Sequence, residues 1–224
     1  MTPFYWVAKN LYLVLFWVLR GKVENMDRLR AWKSGIIAAN HISFLDPPLV
    51  GAITPHAINF LAKSELFKTP LLGLAVRNLN AIPIRRGAID RHAMKMVVEA
   101  LERGGCVLIF PEGSRKNFTA RPGIGKIAIQ TNSPVLPLYF ENTNQPLRKR
   151  MRVVVGEPIT RETISQYEDN KDGYRGLSEH ILHRINALGA ATLGGDSPDQ
   201  LSDSASVRDA ANTAENDHAD TTGA

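Results

Sequence analysis

Four polar side chains that could support catalysis lie within one seven-residue stretch, NHISFLD at residues 40–46. Two of them, His41 and Asp46, form a chemically meaningful pair, because an aspartate that contacts an imidazole fixes its tautomer and stabilises the imidazolium. A histidine held in this way can act as a general base for an alcohol. A regular helix separates side chains five positions apart by about 140°, so one helix face does not bring this pair together.

A turn that leads into a helix would bring the two side chains together. Pro47 and Pro48 favour a helix that begins near Pro47, because proline is tolerated in the first helical turn and disfavours helical backbone in the residue before it. Asp46 then lies near the N-cap, and His41 lies in the turn that folds back on it. Taken alone, the same residues also fit a capping aspartate beside an unrelated surface histidine, and both interpretations stay open at this point.

The stretch FPEGSRK at residues 110–116 follows an apolar run. Gly113 permits a ligand to approach the backbone closely, and the guanidinium fork of Arg115 suits phosphate oxygens. The stretch lacks the Walker pattern of nucleotide triphosphatases. An ordinary charged loop is the alternative interpretation.

Basic residues follow two more of the apolar runs. Arg85 and Arg86 come after one in the stretch AIPIRRG, and Lys63 comes after another. Taken singly, each also fits a solvated surface side chain whose aliphatic stem covers apolar surface.

Alternation of strand-length and helix-length segments indicates the elements that must position these residues. Apolar, strand-length runs occur at residues 35–39, 58–62, 80–84, 106–110, 134–140 and 152–156. Helical stretches are predicted at residues 65–78, on both sides of Pro70, at 89–103, from Gly123 onward and at about 173–188. The pattern predicts an α/β fold with a mixed, largely parallel sheet flanked by helices. Ligands of such sheets bind beyond the carboxyl ends of the strands, which is where the polar clusters occur.

The amino-terminal segment predicts a helix of its own. Residues 4–19 are almost entirely apolar and span about 24 Å as a helix, less than the ~30 Å hydrocarbon core of a bilayer. Trp6 and Trp17, with Arg20 and Lys22 behind them, suit a helix at the headgroup boundary. We predict interfacial attachment, with a helix packed on the protein's own core or a membrane span as alternatives. A signal peptide is disfavoured, because no basic stretch precedes the run and no small-residue cleavage site follows it.

Composition divides the chain into three parts. We predict an interfacial helix at residues 1–24, a catalytic domain at 25–189 and a disordered acidic tail at 190–224, which lacks aromatic residues. Residues 1–195 contain 26 of the 27 basic residues and 15 of the 22 acidic ones. This basic body favours an anionic partner such as an anionic lipid or a phosphorylated substrate. Nucleic acid is disfavoured, because the basic residues lack interleaved aromatics.

Metal and disulfide chemistry are not expected. The chain has one cysteine, Cys106, which lies in the apolar run CVLIF. A single cysteine excludes an intrachain disulfide and a cysteine-cluster zinc site. His41, Asp46 and Glu112 have no second histidine at ligand spacing.

The order of the motifs is more specific than any one of them. Asn-His-x-x-x-x-Asp, Ile-Pro-Ile-Arg-Arg-Gly, Phe-Pro-Glu-Gly-Ser-Arg and Pro-Val-Leu-Pro follow one another over about residues 25–160. This set resembles the glycerolipid acyltransferase family, whose best-known bacterial members are the 1-acyl-sn-glycerol-3-phosphate acyltransferases. The resemblance implies a mixed αβ sheet domain behind an amino-terminal helical element that embeds in one leaflet.

The resemblance also implies residue roles. His41 would deprotonate the glycerol hydroxyl that attacks the thioester of the acyl donor, and Asp46 would orient His41. The acceptor's phosphate would be bound by residues of the second and third motifs and one basic position: Arg86, Glu112, Gly113, Arg115 and Lys63. Pro134 and Pro137 of the fourth motif would shape the acyl-donor side. Arg85 stands where many members carry an acidic or other polar residue, so the acceptor headgroup is the least defined feature.

The expected function is therefore acyl transfer from acyl-CoA or acyl-carrier protein to 1-acyl-glycerol-3-phosphate, without a resident cofactor. Glycerol 3-phosphate or a lyso-aminolipid as acceptor is the alternative within this class. A non-catalytic protein that binds anionic lipid is the alternative from another class. In each case we expect the protein at the cytoplasmic face of the membrane, as a peripheral or monotopic protein.

Overall fold

A seven-stranded β-sheet forms the centre of the computed structural model, which describes residues 3–85, 90–112 and 121–193. The strands are β1 (Lys22–Glu24), β2 (Gly35–Ala39), β3 (Ile58–Lys63), β4 (Ala81–Ile84), β5 (Cys106–Ile109), β6 (Val135–Glu141) and β7 (Arg152–Val155). The helices are α1 (Pro3–Val18), α2 (Met26–Ala31), α3 (Asp46–Ile53), α4 (Pro70–Asn78), α5 (Arg91–Glu102), α6 (Gly123–Thr131), α7 (Arg161–Ile164) and α8 (Lys171–Leu193), and a 3-10 helix covers Ser64–Lys68.

The strands lie in the order β1-β7-β6-β2-β5-β3-β4, and all neighbouring pairs are parallel except the antiparallel pair β6–β7. The predicted mixed, largely parallel sheet is confirmed. All six predicted strands are present, with ends within one residue of those expected. Strand β1 was not predicted, because its three residues are polar or partly exposed and pair with β7 rather than form an apolar run.

Helices cover both faces of the sheet, and the residues of β2 alternate between two cores as the pleat requires. Ile37 belongs to the core that includes side chains of α1, α2 and α3, whereas Ile36 belongs to the core that includes side chains of α5, α6 and α8. Strands β2 and β5 are buried along their whole length. Their continuous apolar sequences are therefore typical of a parallel sheet covered on both sides.

Gly35 allows the central strands to approach where β2 begins. Its φ angle is +118°, and a Cβ atom there would lie 2.6 Å from the carbonyl oxygen of Pro134. A side chain at this position would push β2 away from the neighbouring β6, so glycine here sets the position of the strand that leads to His41.

Helix α1 packs against the domain through one side and leaves the other uncovered. Tyr5 and Phe16 are buried, and the Tyr5 hydroxyl accepts a hydrogen bond from the backbone N–H of Ile58. The exposed large hydrophobic residues on α1 are Phe4, Trp6, Val7, Leu11, Val14, Leu15, Trp17 and Val18. Of the helices in the described ranges, none is long and apolar enough to cross a bilayer.

The chain divides into two units, Met1–Gly189 and Ala190–Ala224. Helix α8 continues to Leu193, so it is longer than the predicted segment 173–188, and it includes the first residues of the predicted tail. The rest of that tail, from residue 194, lies outside the described residues.

Candidate active site

The NHISFLD turn leaves the carboxyl end of β2 and is fastened to β6 by Asn40. The Asn40 amide donates to the carbonyl oxygen of Phe140 at 3.0 Å, and its own oxygen accepts from the Phe140 N–H at 2.7 Å. These two bonds continue the pairing of β2 with β6 by one residue through a side chain. Asn40 therefore fixes the backbone immediately before His41.

His41 and Asp46 meet across this turn. Nδ1 of His41 lies 2.9 Å from Oδ2 of Asp46, and Asp46 is fully buried. The same carboxylate oxygen accepts the backbone N–H groups of Ile42 at 2.9 Å and Ser43 at 2.7 Å. The turn thus wraps around one carboxylate oxygen. This turn gives His41 and Asp46, five residues apart, the contact that one face of a regular helix would not give them.

The alternative of a helix-capping aspartate is wrong. Asp46 is the first residue of α3, Leu45 is the N-cap, and the N-cap makes no side-chain hydrogen bond to the helix. The carboxylate points back toward the turn that precedes it rather than toward the N–H groups of the helix.

Thr143, which the sequence did not indicate, binds the other oxygen of this carboxylate. Its hydroxyl donates to Oδ1 of Asp46 at 2.6 Å, and both residues are fully buried. The two positions are 97 residues apart, and Thr143 lies in the polar stretch ENTNQ after β6. No local pattern could have indicated this contact, because it exists only when β6 lies beside β2.

The imidazole of His41 is held on its ring face as well as at Nδ1. Phe110, the residue after β5, stacks on it with ring centroids 4.0 Å apart and planes 20° from parallel. When Nδ1–H donates its hydrogen bond to Asp46, the neutral ring presents a lone pair at Nε2. Within the described residues, no hydrogen bond uses Nε2. The ring is therefore held with Nε2 able to accept a hydrogen bond from a bound molecule.

Glu112 is placed against the backbone of His41. Its side chain accepts the His41 backbone N–H, and the residue is 7% exposed. Burial raises the pKa of its carboxyl group, and this hydrogen bond opposes the shift. The contact shows a residue that supports the turn at residues 40–46. The predicted role in phosphate binding remains a prediction.

We expect Glu112→Gln to keep this hydrogen bond and to make the folded protein less sensitive to pH. A carboxyl group whose pKa is raised by folding stays protonated in the folded protein at pH values where it is already ionised in the unfolded chain. Its contribution to stability therefore falls as the pH rises from about 4.3, the pKa in the unfolded chain, through the raised pKa of the folded protein. Glutamine removes this loss. Thermal unfolding from pH 4.5 to 8 measures it, with the exposed residue change Glu102→Gln as the control. A pH dependence unchanged from that of the native chain would contradict the prediction.

Thr143→Val should test the contact with Asp46. Valine preserves the shape of threonine but leaves Oδ1 of a buried carboxylate without its donor, and such a loss costs about 1–3 kcal/mol. We expect a comparable fall in the free energy of unfolding, at least a tenfold fall in kcat and a shifted pH profile. Thr143→Ser keeps the hydroxyl and should retain most of the activity. A Ser variant as impaired as the Val variant would indicate that only the methyl packing matters.

The other predicted site residues differ in how the structure places them. Lys63 is exposed at the carboxyl end of β3, on the same edge of the sheet as the turn but beyond β5. Pro134 lies at the opposite edge, where its carbonyl accepts the N–H of Ile36 at 2.9 Å, and Pro137 is buried in the middle of β6 opposite Ala38. Neither proline lies at the carboxyl end of the strand, where the turn at residues 40–46 lies. Arg86, Gly113 and Arg115 lie outside the described residues.

Helix α1 directly contacts the turn at residues 40–46. The Tyr12 hydroxyl donates to the carbonyl oxygen of Leu45 at 3.1 Å, and burial together with the nearby charge of Asp46 raises the Tyr12 pKa. Between α1, α3 and β3 lies a cavity of about 150 Å³ whose lining includes Tyr12, Pro47 and Phe60. Its lining is mostly apolar, so it suits a hydrocarbon segment better than a charged headgroup.

No group of three or more histidine, cysteine, aspartate or glutamate residues suited to a metal ion is found among the described residues. The site as described consists of a histidine, a buried carboxylate and the groups that hold them. This arrangement can remove a proton from a hydroxyl group.

Comparison with known proteins identifies the class. The Acyltransferase family model matches residues 20–141, more than half of the chain. The chain belongs to this family, the protein is an acyltransferase, and the glycerolipid acyltransferase family predicted from the motifs is confirmed.

Particular relatives narrow the comparison. The chain is 28% identical over 179 residues to a 1-acyl-sn-glycerol-3-phosphate acyltransferase of Bacillus subtilis, with 76% of this chain and 89% of that protein covered. It is 29% identical to the Streptococcus pneumoniae protein of the same name, with 84% and 74% covered. The crystal structure of the 1-acyl-sn-glycerophosphate (LPA) acyltransferase PlsC from Thermotoga maritima has the same fold, with a TM-score of 0.64, 22% identity, and 86% of this chain and 81% of that chain covered.

One relative carries a different name. A lyso-ornithine lipid O-acyltransferase of Pseudomonas aeruginosa is 41% identical over 80 residues, which cover 35% of this chain and 30% of that protein.

Proposed function

We propose that the protein transfers a fatty acyl group from a thioester donor, acyl-CoA or acyl-carrier protein, to the free hydroxyl of 1-acyl-glycerol-3-phosphate, giving phosphatidic acid. The observation that carries this proposal is the His41–Asp46 pair, buried at the carboxyl edge of the sheet with Nε2 of the histidine available. The names of the relatives from Bacillus and Streptococcus support the acceptor.

In the proposed reaction, Nε2 of His41 takes the proton of the acceptor hydroxyl as its oxygen attacks the thioester carbonyl carbon. A new C–O bond forms, and the tetrahedral intermediate then collapses with cleavage of the C–S bond. The imidazolium returns the proton to the departing thiolate, so the products are an ester and a free thiol. Asp46 accepts the Nδ1 hydrogen bond throughout and stabilises the transient imidazolium.

Direct attack needs neither an acyl-enzyme nor a resident cofactor in this proposal, because the thioester is already activated and a base with good positioning suffices. Ser43 lies in the same turn as the pair, but its hydroxyl oxygen accepts the backbone N–H of Leu45 at 3.1 Å. It is also not part of a Gly-x-Ser-x-Gly elbow. Its contact is that of a residue that shapes the turn.

Arg115→Ala should separate phosphate binding from chemistry. If the Arg115 guanidinium binds the acceptor's phosphate, its loss removes a charge-assisted contact of about 1.5–3 kcal/mol. We expect the acceptor KM to rise about 10- to 100-fold and the donor KM to change less than threefold. Steady-state kinetics with each substrate varied in turn measures both, and Arg103→Ala, at an exposed position just after α5, is the control. An equal rise in the two KM values would contradict the role.

A lyso-aminolipid acceptor is a second candidate, favoured by the resemblance to the lyso-ornithine lipid enzyme. The acceptor's charge distinguishes the two. A lysophosphatidic acid carries a phosphate monoester that the basic residues at the strand ends would match, whereas a lyso-ornithine lipid carries a cationic amine.

We also propose that α1 lies in the headgroup region of the cytoplasmic face of the membrane, with its exposed aromatic and aliphatic side chains toward the acyl chains. The exposed row that includes Trp6, Leu11 and Trp17 supports this position, because interfacial helices bury such residues in the lipid boundary. A peripheral or monotopic protein of this kind meets an acceptor that never leaves the bilayer.

One assay tests the proposal. The purified chain is incubated in detergent–lipid micelles with acyl-CoA or acyl-carrier protein and one of three acceptors: lysophosphatidic acid, glycerol 3-phosphate or lyso-ornithine lipid. We expect phosphatidic acid to form fastest from lysophosphatidic acid. Faster acylation of the ornithine lipid would favour the second candidate. Lipid binding without transfer to any acceptor would leave only a non-catalytic lipid-binding protein.

A further inference from the structure

The loop between β6 and β7 carries an exposed cluster of basic residues around one exposed leucine. Leu147, at 86% exposure, is the most exposed of the large hydrophobic residues whose side chains the structure describes. Arg148, Lys149 and Arg150 follow it, and all three are exposed. None of these three takes part in an ion pair with a described residue, whereas Arg152, just beyond, is paired with Glu24 and Glu141.

This cluster lies against the carboxyl end of α1. Nε of Arg150 donates to the carbonyl oxygen of Arg20 at 2.8 Å, and the N–H of Lys22 donates to the carbonyl oxygen of Met151 at 3.0 Å. The last residues of α1 include Trp17 and Val18, both exposed. An apolar helix end and a basic loop are therefore held side by side by one side-chain-to-backbone and one backbone hydrogen bond.

We infer that residues 147–150 form a second membrane contact, which binds the headgroups of anionic lipids beside α1. This inference rests on the interfacial position proposed for α1 and adds an element that is more than 120 residues away in sequence. Unpaired cations bind anionic headgroups, and an apolar side chain among them enters the lipid boundary. The combination of Leu147 with the exposed end of α1 favours a lipid surface over an acidic protein, which would need the charges alone.

The position of the loop is relevant to catalysis. Thr143, which binds the Asp46 carboxylate, lies in the same β6–β7 connection four residues before Leu147. A lipid surface bound at residues 147–150 would thus contact the same β6–β7 connection that contains a residue holding the His41–Asp46 pair. An acceptor that stays in the bilayer can react only if the His41–Asp46 pair lies close to the lipid surface.

The test uses the full-length chain with His41→Ala, so that vesicle binding is measured without turnover. Arg148→Gln/Lys149→Gln is compared with the native loop on vesicles of equal parts phosphatidylglycerol and phosphatidylcholine, and on pure phosphatidylcholine. Arg150 is kept, because it is bonded to Arg20. We expect about 30-fold weaker binding to the anionic vesicles, because each basic residue near such a surface contributes about 1 kcal/mol, and unchanged binding to the neutral ones.

The matched control is Lys95→Gln/Arg103→Gln on α5, which removes the same charge from the opposite face of the sheet at side chains that are 75% and 73% exposed. It should change binding less than threefold. Equal losses in both variants, or no loss in the loop variant, would overturn the inference while leaving α1 attachment and acyl transfer in place. Unchanged vesicle binding by the loop variant, together with slower transfer from acyl-carrier protein but not from acyl-CoA when His41 is restored, would overturn it in favour of carrier-protein docking.

Discussion

Replacing His41 with alanine is expected to lower kcat for acyl transfer by about 10²- to 10⁴-fold, the range that a positioned general base contributes. The change removes the nitrogen that would take the hydroxyl proton. It leaves Asp46 with the N–H groups of Ile42 and Ser43 and the hydroxyl of Thr143, so the carboxylate keeps three of its four hydrogen bonds. The measurement is the release of free thiol from acyl-CoA in the presence of lysophosphatidic acid.

The control for this change is His92→Ala, an exposed histidine on α5 at the opposite face of the sheet. It should retain activity within twofold. Circular dichroism and thermal unfolding of the His41 variant should show a folded protein, although the loss of the ring stacked on Phe110 will lower its stability somewhat. Native-like thiol release by a folded His41→Ala protein would exclude the proposed mechanism.

Asp46→Asn is expected to reduce both activity and stability. Oδ2 of Asp46 accepts three donors and Oδ1 accepts a fourth, so the amide nitrogen of asparagine must face at least one N–H or O–H group in a fully buried site. Hydrogen bonds to a charged group contribute about 1.5–3 kcal/mol each, and we expect a loss of about 3 kcal/mol in the free energy of unfolding. Without the carboxylate, the imidazolium loses its counter-charge, and kcat should fall about 10³-fold.

Chemical denaturation and steady-state kinetics measure the two effects separately. Asp172→Asn, at an exposed position in the first turn of α8, is the matched control and should alter neither. If Asp46→Asn lowered stability but left kcat and its pH profile unchanged, Asp46 would serve the turn alone and would have no part in the chemistry of His41.

Sequence reasoning succeeded for the parts of the fold whose signals are local. The run GIIAA predicted a buried strand, and β2 covers those same five residues. Pro47 and Pro48 predicted a helix start, and α3 begins one residue before them. The stretch 65–78 was predicted to be helical on both sides of Pro70, and it forms the 3-10 helix at Ser64–Lys68 and α4, because Pro70 cannot donate the hydrogen bond that one continuous helix would require.

Features that depend on distant residues escaped sequence reasoning. Strand β1 exists because β7 offers it a parallel edge, and Lys22–Glu24 have no strand pattern of their own. Glu112 was assigned to phosphate from its motif, and only the structure shows that its carboxylate receives the backbone N–H of His41.

The sequence by itself determined that this is an α/β acyltransferase with a histidine and an aspartate in one turn, because apolar period, proline position and motif order are all properties of neighbouring residues. Only the tertiary structure decided how that pair is held. Asn40 binds β6, and Thr143 reaches Asp46 across 97 positions of sequence, because the order of strands in the sheet places β6 beside β2. Pairing between distant strands leaves no mark on the spacing of residues along the chain.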